Sequence, residues 1–146
     1  YLGARRADLM AAWPARSDEL VEVRVDGRKA WLPSADAAAL AAPADPDVVR
    51  LLGAFDPFLQ ARDRDLIVPD KAMQKTLWPV LGRPGALFVD GEVVGTWRTR
   101  SSGKKLTVEV DAVAPLPPST WRDIDAEAQR LARVRGAADV AVKRAG

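Results

Sequence analysis

The sequence predicts an α+β fold: an antiparallel sheet, several short helices and a C-terminal helix packed on the sheet. Three observations predict it. Two Asp-Gly pairs, Asp26-Gly27 and Asp90-Gly91, each separate two runs rich in β-forming residues. Asp-Gly favours type I′ hairpin turns, whose two central residues need positive φ. A third run, Lys105 to Val110, follows a turn at Ser101-Ser102-Gly103. Near the C-terminal end, Trp121, Ile124, Ala128 and Leu131 recur at helical spacing.

The elements follow in order. Residues 5–13 suit a short helix, with Leu9, Met10 and Trp13 on one side and Pro14 as its stop. Leu20 to Val25 alternates apolar and charged residues, and Arg28 to Leu32 returns as its hairpin partner. Ser34 is placed to cap an Ala-rich helix over 35–41, and Pro43 to Asp47 reads as a linker. Val48 to Leu52 is a candidate strand. Phe55-Asp56-Pro57-Phe58 is a turn, because the residue before Pro is pushed out of the helical region. One helical turn over 59–64, a short apolar run at 66–68 and a helix from Lys71 to about Leu77 come next. The runs 86–89, 92–98 and 105–110 make a β-meander, with Gly95 marking a bulge or bend. After the rigid connector Pro115 to Pro118, Ser119 or Thr120 is expected to cap the final helix, and Gly136 stands at its C′ position. The remainder, with Lys143 and Arg144, reads as frayed. This gives a helix-and-hairpin unit over 1–42 and an α+β module over 43–146, with one compact domain as the alternative.

Composition removes much chemistry. The 146 residues contain no Cys and no His, so disulfides, thiolate nucleophiles, His general bases and His- or Cys-ligated metals are excluded. Hydrophobic residues make up 48% and charged residues 29%, ordinary for a soluble globular domain. The net charge of +2 permits a local polyanion-binding patch without demanding one. No apolar run is long enough for a transmembrane helix, no signal peptide is recognisable and no membrane partner is expected. The first residue is Tyr1, so the chain is expected to be processed or part of something longer.

Few residues converge on a reaction. Gly82-Arg83-Pro84-Gly85 is a turn and not a phosphate cradle, because Pro84 lacks a donor. Asp56, Asp63 and Asp65 could form a carboxylate metal site. Arg62 and Arg64 beside them favour ion pairing instead, so no metal and no cofactor are expected. Asp56 suits an Asx-type turn or a pair with Arg62 or Arg64, while Phe55, Phe58 and Leu59 pin that turn to the sheet. The tryptophans 13, 31, 78, 97 and 121 read as packing residues. The basic features are more pointed. Arg98, Arg100, Lys104 and Lys105 surround one hairpin tip, and Arg24, Arg28 and Lys29 decorate the other hairpin. Such tips can follow phosphates or enter a groove; the alternative is a solvated, solubilising end. A helix followed by a basic hairpin is the tail of a winged-helix motif, with Arg5 and Arg6 of the helix also candidates for phosphates.

From Leu51 onward the chain resembles a known family. The carrying residues are Leu51-Leu52-Gly53-Ala54-Phe55-Asp56-Pro57-Phe58-Leu59, Arg62-Asp63-Arg64, Gly82 to Gly85, Val89 to Arg98 and Leu106 to Val110. They resemble the bacterial winged-helix DNA-binding proteins of the DNA-glycosylase superfamily. Upstream, the helix ending at Trp13 and the run Val23 to Pro33 are similar to the last winged-helix unit of that family. Members remove bulky alkylated bases and unhook crosslinks, some guarding producers of DNA-alkylating antibiotics. The resemblance implies duplex DNA as partner, a cytoplasmic, nucleoid-associated location, and DNA contacts by Arg98, Arg100, Lys104, Lys105, Arg24, Arg28 and Lys29. It implies catalysis through a Gln-x-Gln-like motif in the N-terminal part; Gln60, Gln74 and Gln129 stand alone here and none fits. A helix is also expected between Trp13 and Leu20, where only residues 14–19 stand. The expectation is a DNA-binding module of a glycosylase-like protein. The alternatives are part of an active glycosylase, or a protein-interaction or small-ligand scaffold.

Overall fold

The computed structural model describes residues 5–60 and 63–145, the side chain of Arg6 apart. Arg62, one of the carrying residues above, lies outside them. The chain divides into two compact units, Tyr1–Asp45 and Pro46–Gly146.

In the first unit, helix α1 (Arg6–Ala12) runs into a 3₁₀ helix at Trp13–Glu19. Pro14 ends the α-helix as expected, yet the segment where a helix had no room is a seven-residue 3₁₀ helix. Its steeper rise per residue spans the gap with fewer residues. Strands β1 (Leu20–Val25) and β2 (Arg28–Pro33) pair antiparallel. Asp26 (φ 50°) and Gly27 (φ 77°) form the type I′ turn that the pair dictates. Ser34 caps nothing through its side chain; it begins a 3₁₀ turn ahead of α2 (Ala37–Ala41). No described residue of this unit is buried. Trp13 and Trp31, read as packing residues, meet edge to face at 5.6 Å but stay 37% and 40% exposed.

The second unit is a five-stranded sheet in chain order: β3 (Val49–Leu52), β4 (Gly85–Val89), β5 (Glu92–Ser102), β6 (Lys105–Ala112) and β7 (Asp139–Arg144). Asp90 and Gly91 close β4 onto β5 with the same turn, and the Asp90 carboxylate also accepts the Val48 N–H at 2.9 Å. The register slips between Leu87 and Phe88 and leaves Val94 as the extra residue beside Gly95. Gly95 is required there: a Cβ would press into the Asp111 carbonyl oxygen and sit 2.9 Å from the Ala112 Cα.

The last strand corrects the expected frayed tail. Residues 139–144 pair parallel to β6, so the sheet is mixed, and helix α5 (Pro118–Val134) is the crossover between them. Parallel neighbours need such a crossover. Pro117, not Ser119 or Thr120, is the N-cap residue, because Pro118 supplies a ready helical φ at N1. At the other end Gly136 (φ 67°) forms a Schellman motif, with its N–H on the Arg133 carbonyl and that of Ala137 on the Ala132 carbonyl.

The sheet carries two cores. On one face Ile124, Ala128 and Ala132 of α5 pack on Leu87, Trp97, Leu106, Val108 and Val110. On the other, Leu59, Val68 and Leu77 cover Ala86, with Leu52 and Val93 at the edge. Those residues come from a 3₁₀ turn (Pro57–Gln60), where one helical turn over 59–64 is expected from the sequence, from Val68 after α3 (Arg64–Ile67), which takes in part of the expected apolar run, and from α4 (Lys71–Leu77), which lies where a helix is expected. Asp70 caps α4, accepting from the backbones of Ala72 and Met73 at 3.0 and 3.1 Å.

Candidate nucleic-acid interface

Side chains alternate across a sheet. Leu106, Val108 and Val110 face α5, so Lys105, Thr107 and Glu109 face away. The β5–β6 and β6–β7 registers bring Arg98, Arg100 and Lys143 onto that same outward face. The helical layer over β3 and β4 leaves Arg98, Arg100, Lys105 and Lys143 exposed.

Neighbouring acids divide these cations. Glu109 holds the Arg100 guanidinium at 3.0 Å, and Asp139 lies 3.4 Å from the Lys105 ammonium. Arg98, Lys104 and Lys143 make no ion pair with a described acid. The tip is also anchored, which a protruding hairpin would not be. The Lys104 carbonyl accepts N–H groups from Ala138 at 2.8 Å and Asp139 at 3.3 Å. These bonds fasten the turn to the start of β7 and leave the Lys104 side chain in solvent. Lys143 was missed in the sequence; the β-branched pair Val140 and Val142, two residues apart and flanked by Asp139 and Lys143, was the available sign.

In the first unit, Glu22 pairs with Lys29 at 2.5 Å, and the Lys29 ammonium lies 4.7 Å from the Trp31 ring centre. Arg24 donates to the Gly27 carbonyl at 3.3 Å, closing its own turn. Arg28 is exposed and makes no ion pair with a described residue. Arg5 is held by Asp8 at 3.1 Å.

The Phe-Asp-Pro segment is local architecture. The Asp56 carboxylate accepts the Phe58 N–H at 2.9 Å, an Asx turn, and pairs with no described cation. Leu59 is buried and Phe58 meets Phe88 edge to face at 5.3 Å, but Phe55 is 76% exposed and pins nothing to the sheet. Arg64 stacks over Trp78 at 4.8 Å instead of pairing with Asp56 or Asp65. Asp65 binds the Lys71 ammonium, and the Gln74 amide at 2.7 Å. Those bonds, Lys71 first, hold its carboxyl below the ordinary carboxylate range. Gln74 also donates to the Val68 carbonyl and Gln60 to that of Ala54, so both are spent on local structure. Among the described residues no three acids gather as a metal site. No described helix is long and apolar enough to cross a membrane.

A winged-helix-like α+β fold with cation-bearing hairpins defines the class of protein. The family model described as DNA glycosylase AlkZ-like matches residues 1–134, and the chain belongs to that family. A relative in Streptomyces sahachiroi, an interstrand DNA cross-link repair glycosylase, is 33% identical over 134 residues, 86% of this chain and 33% of that protein. The solved structure of the Streptomyces sahachiroi DNA glycosylase AlkZ superposes with a TM-score of 0.71 at 26% identity, over 97% of this chain and 38% of that one. The chain thus spans about a third of the length of the relatives it matches.

Proposed function

We propose that this chain is a duplex-DNA-contacting part of a glycosylase-type repair protein. One observation supports the reading: Arg98 and Lys143 on the outward face of β5 to β7, and Lys104 at the β5–β6 turn, make no ion pair with a described acid. Phosphate contacts by such cations release condensed counterions, so they supply affinity without reading sequence. Arg100 and Lys105 contribute less, because each must first leave its carboxylate. Arg24, Arg28 and Lys29 of the first hairpin form a second patch, of which Arg28 is the least engaged. Gln60, Gln74 and Gln129 stand apart in the sequence, and no catalytic step is assigned to the described residues.

The test is duplex binding as a function of salt by the natural protein. Arg98→Gln with Lys104→Gln should lower the slope of log affinity against log salt by about 1.8, or roughly 0.9 for each phosphate no longer neutralised. An unchanged slope removes this hairpin from the interface.

A further inference from the structure

Strand β7 is an open edge of its sheet: among the described residues no strand lies on its far side. The Asp139 N–H reaches the Lys104 carbonyl at 3.3 Å and the Ala145 N–H the Val110 carbonyl at 2.8 Å, so the odd-numbered residues turn their backbone polar groups to β6. Those of Val140 and Val142 therefore point outward, because successive residues of a strand alternate in direction. Such unpaired edge groups are a template for one more strand.

The side chains of this edge say which strand fits. An edge blunted against pairing carries like charges or a proline. This one reads Asp139, Val140, Ala141, Val142, Lys143, with an acid and a base placed symmetrically about Ala141 and a valine on each side between them. Two copies laid antiparallel about Ala141 set Asp139 opposite Lys143 and Val140 opposite Val142, each twice. The outward N–H and C=O groups of Val140 and Val142 then meet as hydrogen-bonded pairs. Moving the axis to Val140 or to Val142 sets Asp139 against an alanine instead.

Both charges are free to pair. Lys143 makes no ion pair with a described acid, and Glu109, its neighbour on β6, is held by Arg100. The Asp139 side chain is 64% exposed and is engaged only by Lys105 at 3.4 Å. On the helix side of the edge, Ala132, Ala138 and Val140 line a shallow groove of about 190 Å³, with Arg133 at its rim. Val140 and Val142 pack toward α5, so in this register Val142 of the second copy lies over the groove. Arg144 is stacked on the Trp121 ring of its own chain at 4.3 Å, which holds it back from that rim.

We propose that β7 pairs antiparallel with β7 of a second copy about Ala141, joining two sheets edge to edge. Opposite charges and apolar side chains set directly across such a pair stabilise it. Cross-strand neighbours share a face, so the outward faces of the two copies point the same way. Lys143 is then taken up by Asp139 of the second copy, while Arg98 and Lys104 of both copies stay open to a polyanion. The pairing itself does not depend on DNA.

Sedimentation of the natural protein tests it. Wild type should sediment at twice the chain mass. Asp139→Lys and Lys143→Glu should each halve that mass, because two like-charged pairs then face across the axis. Mixed in equal amounts, the two variants should regain the double mass, since their charges match each other. Both positions are exposed, and a urea midpoint near that of wild type checks that each variant keeps the fold. The chain has no Cys, so Ala141→Cys gives an independent reading. Across the axis the Cα atoms come within about 4.5 Å, inside disulfide range, and mild oxidation should link two chains. Ala145→Cys, off the axis, should not link. A monomeric wild type overturns the proposal. So does a dimer that either charge variant leaves intact, a mixture that stays monomeric, or an Ala141→Cys protein that links no faster than Ala145→Cys. None of these readouts involves DNA, so their failure is distinct from failure of the duplex-binding test.

Discussion

Replacing Glu109 with Gln should strengthen the salt-dependent part of duplex binding. In the structure both Glu109 oxygens reach the Arg100 Nε, at 3.0 and 3.1 Å, and the Arg100 side chain is 78% exposed. The pair is a surface pair and contributes about 0–1 kcal/mol to folding, so the variant should unfold within about 1 kcal/mol of wild type in urea. Of the four hairpin cations named from the sequence, Arg98 and Lys104 have no acid partner among the described residues. Two free cations at roughly 0.9 each give a slope near 1.8 from this hairpin, and releasing Arg100 raises it to about 2.7. Over a fourfold change in salt, that extra 0.9 is about a 3.5-fold change in affinity. Fluorescence anisotropy of a labelled duplex, titrated at several salt concentrations, reads the slope directly. Asp139→Asn, which frees Lys105 from a 3.4 Å contact, serves as the second arm. If both variants bind with the wild-type slope while Arg98→Gln and Lys104→Gln lower it, the outward face of β6 does not meet DNA and only the tip does. If no variant moves the slope, the hairpin is not an interface.

Two further outcomes test the frame that holds this face. Gly95→Ala should destabilise the second unit by about 1–3 kcal/mol in urea, because the added Cβ meets the Asp111 carbonyl oxygen and the Ala112 Cα, and backbone cannot yield cheaply; an unchanged midpoint would refute the close approach. Asp65 titrates below its ordinary value of 3.8, so its bonds to Lys71 and Gln74 add stability above that pH and lose it as pH falls further. The stability difference between wild type and Asp65→Asn should therefore shrink below pH 3.8; a difference that stays constant or grows in acid contradicts the pairing.

Much of the frame is written locally. Asp26-Gly27 and Asp90-Gly91 demand positive φ at two successive residues, and both take it. That fixes both hairpins, and with them which residues lie opposite. The stripe Trp121, Ile124, Ala128 and Leu131 packs as its spacing requires, and Gly136 ends that helix at the expected position. The absence of His and Cys likewise needs no coordinates. The family likeness was legible too, since its carrying residues are the turns and anchors that local chemistry singles out.

The site was legible only as a list of cations. Periodicity tells which face a residue takes, but an ion pair across strands depends on register with a strand far along the chain. Lys105 meets Asp139, 34 positions further on, only because α5 carries the chain back to lay β7 parallel to β6. The same long return fastens the hairpin tip through Ala138, where sequence alone left it free. Exposure has the same origin: Leu77 and Leu81 are four residues apart, yet one is 1% and the other 86% exposed, since the sheet covers one and leaves the other at a loop tip. Turn chemistry and hydrophobic period are properties of neighbouring residues and are written in the sequence. Neutralisation and burial are set by distant partners, and folding in three dimensions decides them.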